Sequence, residues 1–109
     1  MAFAAETICV QGSNERRDPF GAISMPIYQN AAYAHPGLGK STGYDYSRCG
    51  NPTRDEVQKT VALLEQGTEA LALSTGMAAI TALMEIFSPG DHLIATDDLY
   101  GGTLRLWNT

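Results

Sequence analysis

Residues 69–96 constrain this chain more than any other stretch. Two short runs rich in Leu, Ile and Ala, EALALS at 69–74 and HLIAT at 92–96, flank an apolar stretch from Gly76 to Phe87. Ser88-Pro89-Gly90-Asp91 closes that stretch with residues of turn composition. The short runs read as strands and the longer stretch between them as a helix. Strand, helix, strand at this spacing is a βαβ unit, whose two strands lie parallel through a right-handed crossover. A further helix is expected to start near Gly101. The chain is thus expected to open a doubly wound α/β domain. Such sheets bind ligands beyond the carboxyl ends of their strands. Here those ends are Ser74–Met77 and Asp97–Tyr100.

Before this unit, residues 53–66 carry the clearest helical period. Val57, Val61 and Leu64 fall on one face, Thr53 and Glu56 have capping-box spacing, and Gly67 offers a stop. Residues 1–52 differ in kind, because glycine and proline recur too often for long regular elements. Yet Ile23, Met25, Ile27, Tyr28, Tyr33, Tyr44 and Tyr46 make the segment too apolar for a disordered tail. An extended arm that packs on a surface such as a partner subunit is the expectation for 1–52. Residues 53–109 are expected to be the first part of the α/β domain.

With 109 residues the chain suits one domain or a piece of one. Its net charge of −5 disfavours broad binding to nucleic acid or anionic membranes, both of which need a basic face. Cys9 and Cys49 are too few for a disulfide scaffold and suit a reducing cytosol. The apolar run from Gly76 to Phe87 is too short for a bilayer and carries Glu85. A cytoplasmic protein is expected.

Ser74-Thr75-Gly76-Met77 is the strongest local signal. A helix starting directly after a small-residue turn presents N–H groups without internal acceptors and the positive end of its dipole, which suits a phosphate. Gly76 would allow close approach. Alternatively, Ser or Thr simply caps the helix. Arg48, between tyrosines, could grip a phosphate or carboxylate with two prongs, or lie on an aromatic ring at the surface. Tyr100 could offer its ring face to a flat ligand, or tether its hydroxyl in a partly buried niche. Arg105 could reach the same pocket or be a solvated helix charge. Residues 34–41 imitate a P-loop, but Pro36 interrupts them and neither the strand before nor the helix after is present. Asp97-Asp98 lack a third ligand at metal spacing, so no metal is expected. His35 and His92 stand isolated.

Three segments together carry a resemblance: Tyr44–Thr53 (YDYSRCGNPT), Leu73–Ala79 (LSTGMAA) and Asp97–Thr103 (DDLYGGT). In order and spacing the chain resembles, from about Thr7 onward, the Cys/Met-metabolism enzymes that use pyridoxal phosphate. These include the cystathionine synthases and lyases and the homoserine sulfhydrylases. The resemblance implies the start of the large domain of an aminotransferase-like (fold type I) enzyme. It implies that Gly76 and Met77 bind the cofactor phosphate through backbone N–H groups, with Ser74 close by, and that Tyr100 stacks on the pyridine ring. It implies that Tyr46 and Arg48 reach into a neighbouring subunit's site, with Arg48 on the phosphate, and that Arg105 lies near an amino-acid substrate. A homo-oligomer, a tetramer made of two active dimers, would follow.

This chemistry needs a Schiff-base lysine. The chain holds only Lys40 and Lys59, and neither sits in the family's lysine motif. No catalytic residue is therefore assigned. The chain is expected to be a fragment of a longer trans-sulfuration enzyme and inactive alone. Two alternatives stay open: a non-enzymatic α/β phosphate-binding module, and a truncated remnant without function.

Overall fold

A computed structural model describes residues 3–13 and 18–108. Among the described residues there are four helices: α1 (Ala5–Gln11), α2 (Pro52–Leu64), α3 (Gly76–Met84) and α4 (Gly101–Trp107). The chain divides into two units, residues 1–71 and 72–109.

In the first unit the start of α2 is set by Asn51. Its backbone is extended (φ −148°, ψ 129°), and its Oδ1 accepts from the N–H of Thr53 at 2.9 Å and of Arg54 at 3.4 Å. Pro52 follows at N1, where its missing N–H costs nothing and its fixed φ is already helical. The expected Thr53–Glu56 box is therefore not the cap. Thr53 Oγ1 instead accepts from Tyr28 N–H at 2.8 Å, and the Glu56 carboxylate accepts from the N–H and hydroxyl of Ser13 at 2.7 and 2.8 Å. Glu56 thereby fastens the end of α1 to α2. Gly12, at φ +70°, passes so close to that carboxylate that a Cβ would collide with it.

The helix ends at Leu64, two residues before its expected last residue, 66. Gln66 adopts the left-handed conformation (φ 55°), with its N–H on Leu63 O at 3.3 Å, and Gly67 N–H returns to Ala62 O at 2.9 Å. That pair of bonds is a Schellman motif with glutamine at the position glycine usually takes. The packed face also differs from expectation. Ala62 is buried at 7%, whereas Val57 and Val61 remain 50% and 43% exposed. The aliphatic stripe of Val57, Val61 and Leu64 is thus not the face this unit buries. On another side of the helix, Asp55 accepts the Tyr44 hydroxyl at 2.8 Å.

The segment before α2 folds back on itself and on the helix start. Ala32 bridges antiparallel to Tyr46, Tyr33 N–H donates to Asp45 O at 3.1 Å, and Ser47 N–H donates to Ala31 O at 2.8 Å. Ser47 also donates its hydroxyl to Asn30 O. Asn51 Nδ2 reaches Tyr28 O at 3.1 Å, so one side chain both caps α2 and ties the arm to it. Residues 37–40 make a tight turn, with Lys40 N–H on Gly37 O at 3.0 Å; no helix follows the P-loop-like run.

In the second unit α3 and α4 lie side by side and parallel. Thr103 in the first turn of α4 donates to Met77 Sδ in the first turn of α3 at 3.7 Å, and Trp107 Nε1–H meets Met84 Sδ at 3.2 Å at the other ends. Thr103 is 3% exposed. The two runs expected as strands form no ladder. Among the described residues the only β pairings are the isolated bridges Ala32–Tyr46 and Gly37–Lys40. A strand is completed by hydrogen bonds from a neighbour. Among the described residues neither 69–74 nor 92–96 is paired in a ladder, and Leu71 and Ile94 stay 77% and 95% exposed.

Candidate functional site

The second unit assembles four of the expected site residues around the start of α3. Thr75 is the N-cap (φ −149°, ψ 156°), and its Oγ1 accepts from Ala78 N–H at 3.0 Å. Its carbonyl takes the first intrahelical bond, from Ala79 N–H at 3.1 Å. The N–H groups of Gly76 and Met77 precede that bond, so the helix offers them no acceptor. Nothing lies within 4 Å of where a Cβ on Gly76 would stand, so the approach is open. Ser74 is exposed immediately before the cap.

Tyr100 stands at the N-cap of α4, next to this turn. A Cβ on Gly102 would meet Tyr100 Cε1 at 2.6 Å and Met77 Sδ at 3.1 Å, so ring and sulfur both lie against the glycine. Gly102 is the space into which the Tyr100 ring folds. The ring is nevertheless 73% exposed and free to present a face. Arg105 lies in the last turn of α4, at the opposite end of the helix from Tyr100.

Tyr46 and Arg48 belong to the first unit and contact each other. The Arg48 guanidinium carbon lies 5.3 Å from the centre of the Tyr46 ring, and Nη2–H donates to Tyr46 Oη at 2.8 Å. Behind them Tyr44 and Tyr33 pack with ring centres 5.4 Å apart. The Tyr44 phenol is pushed up to about 12, first by burial and then by its hydrogen bond to the Asp55 carboxylate.

Sequence reasoning left the cap of α3 to Ser or Thr, and Thr75 fills it by holding Ala78 N–H, while the N–H groups of Gly76 and Met77 keep no helical acceptor. It missed three local contacts. Asn51 could have been found from Asn before Pro at a helix start. Gly102 and Arg54 carry no local signal, because their roles depend on neighbours brought in by folding. The residues fit a phosphate on an aromatic platform: free amides at a helix start, an open glycine and an adjacent exposed ring. Among the described residues no cluster of His, Cys, Asp and Glu is placed to hold a metal, and no helix is long and apolar enough to cross a membrane.

The backbone is similar to that of solved cystathionine synthases and lyases. It matches the cystathionine gamma synthase of Xanthomonas oryzae pv. oryzae, solved in complex with aminoacrylate and cysteine, with a TM-score of 0.82 and 38% identity. The match covers 99% of this chain and 28% of that one. The chain belongs to the Cys/Met metabolism PLP-dependent enzyme family, whose model matches residues 6–109. It is 49% identical over 107 residues to the cystathionine gamma-synthase/O-acetylhomoserine (thiol)-lyase of Bacillus subtilis, covering 98% of this chain and 29% of that protein. It is 48% identical to the cystathionine gamma-lyase of the same organism, covering 93% of this chain and 27% of that protein. The chain thus spans less than a third of the length of these relatives.

Proposed function

We propose that this chain is the N-terminal part of a pyridoxal-phosphate-dependent trans-sulfuration enzyme and supplies one wall of its cofactor site. The enzyme would eliminate or replace a β- or γ-substituent on cystathionine or an activated homoserine. The carrying observation is the start of α3, where two N–H groups have no helical acceptor, the space at the Gly76 Cβ position is open, and Tyr100 and Met77 both lie against Gly102.

In this reading Gly76 and Met77 donate their N–H groups to the cofactor phosphate, with Ser74 adding a hydroxyl. Tyr100 covers the flat face of the pyridine ring, its own ring held at a fixed angle against Gly102. Arg48, held by Tyr46, neutralises the phosphate from a neighbouring subunit. Arg105 is assigned to the substrate side. Pyridoxal phosphate, when bound, supplies an electron sink for negative charge at the substrate α-carbon. The role of the chain described above is to bind and orient it. Residues 1–52 act as the arm, 53–109 begin the α/β large domain, and the runs 69–74 and 92–96 become strands once a sheet supplies their neighbours. A homo-oligomer, a tetramer of two active dimers, and a cytoplasmic location complete the proposal.

Relatives with nearly equal identity bear synthase and lyase names, so the reaction is tested directly. Full-length enzyme should release a thiol from cystathionine, or form cystathionine from an activated homoserine and cysteine, only with pyridoxal phosphate. Neither reaction at any cofactor concentration would overturn the proposal.

A further inference from the structure

We propose that Arg54 is a positioning residue that presets Arg48. The inference rests on the reading above that Arg48 meets the cofactor phosphate. Arg54 lies in the first turn of α2, yet its side chain turns back along the preceding segment. Its Nη2–H donates to Cys49 O at 2.8 Å and its Nη1–H to Arg48 O at 3.3 Å. Among the described residues no carboxylate pairs with it. The guanidinium is spent on two consecutive backbone carbonyls.

That choice of partner has a geometric consequence. A guanidinium is a planar fork with fixed N–H directions, so two carbonyls gripped together have little freedom to rotate. The peptide planes on either side of Cys49 are held, and with them the direction in which the Arg48 side chain leaves the backbone. The fork is anchored on a helix whose first turn Asn51 caps with two N–H bonds. Restraint therefore runs from the axis of α2 through Arg54 to the backbone of Arg48. The outer end of Arg48 is held separately by Tyr46. A cation fixed at both ends loses less freedom when it takes an anion, and binding is tighter for it.

The test uses the full-length protein stripped of cofactor and titrated with pyridoxal phosphate. Affinity is read from visible absorbance and from quenching of intrinsic fluorescence. Arg54→Met keeps the aliphatic stem and removes the fork; it should weaken cofactor binding about tenfold, within the range for coupled neighbours. Arg54→Lys, a point donor in place of a fork, should recover part of the loss. In an Arg48→Ala background, Arg54→Met should change affinity less than about twofold, because Arg54 acts through Arg48. Wild-type affinity in Arg54→Met would overturn the inference, as would a full loss that persists in the Arg48→Ala background. If Arg54→Met does not fold, Arg54→Lys carries the same comparison in both backgrounds. Unchanged affinity in Arg48→Ala alone would instead refute the role given to Arg48.

Discussion

Replacing Asn51 separates two jobs that one side chain performs. Its Oδ1 caps α2 by accepting from Thr53 and Arg54, and its Nδ2 ties the arm by donating to Tyr28 O. Loss of an N-cap costs about 1 kcal/mol, and loss of a neutral hydrogen bond about 1 kcal/mol more. Asn51→Ala should therefore ease local opening by about 2 kcal/mol, or roughly 30-fold in the opening equilibrium. Asn51→Asp keeps the acceptor and loses the donor, so about 1 kcal/mol, roughly fivefold, is expected. Suitable reporters are the amides of Asp55 and Tyr28. Their acceptors, Asn51 O and Thr53 Oγ1, survive both substitutions. Hydrogen exchange on the full-length protein, followed by mass spectrometry, reads both. Exchange in Asn51→Ala within twofold of wild type at both amides would refute this account of the helix start, and so would Asn51→Asp exchanging as fast as Asn51→Ala.

Other residues give sharper local tests. Gln66→Gly should raise stability by about 1 kcal/mol, because a left-handed residue with a Cβ is replaced by one that adopts it freely; a lower melting temperature would contradict this. Tyr44→Phe should cost about 1 kcal/mol through the lost bond to Asp55. The folded Tyr44 holds its proton to about 12, against 10 when unfolded. Its contribution is thus complete below pH 10 and fades as pH climbs toward 12. The phenylalanine variant should lack that part of the alkaline decline in denaturant titrations. Gly102→Val places a side chain where the Tyr100 ring lies. It should weaken cofactor affinity at least as much as Tyr100→Ala, measured by absorbance titration; unaltered affinity would detach the ring from the site.

Helix α2 was legible because its apolar period is local, and the start of α3 because small residues stand between an apolar run and a helix. The N-terminus of α2 was misplaced because Thr53 and Glu56 satisfy a pattern, while the partners that claim them, Tyr28 and Ser13, lie 25 and 43 residues away. The runs at 69–74 and 92–96 read as strands by composition, but a ladder is a property of two segments, and none forms between such segments among the described residues. Within the candidate site, the helix start at Gly76, a Ser or Thr cap before it and a helix beginning near Gly101 were readable from position in the pattern. The contacts of Gly102 and Arg54 were not, since ring clearance and a back-turned guanidinium appear only once the chain is folded.

The most direct measurement is a crystal structure of the full-length protein grown with pyridoxal phosphate. Phosphate oxygens should lie within hydrogen-bond distance, about 2.7–3.2 Å, of both the Gly76 and Met77 nitrogens, with the pyridine ring against Tyr100. A phosphate bound elsewhere, with those two amides facing solvent, would contradict the account.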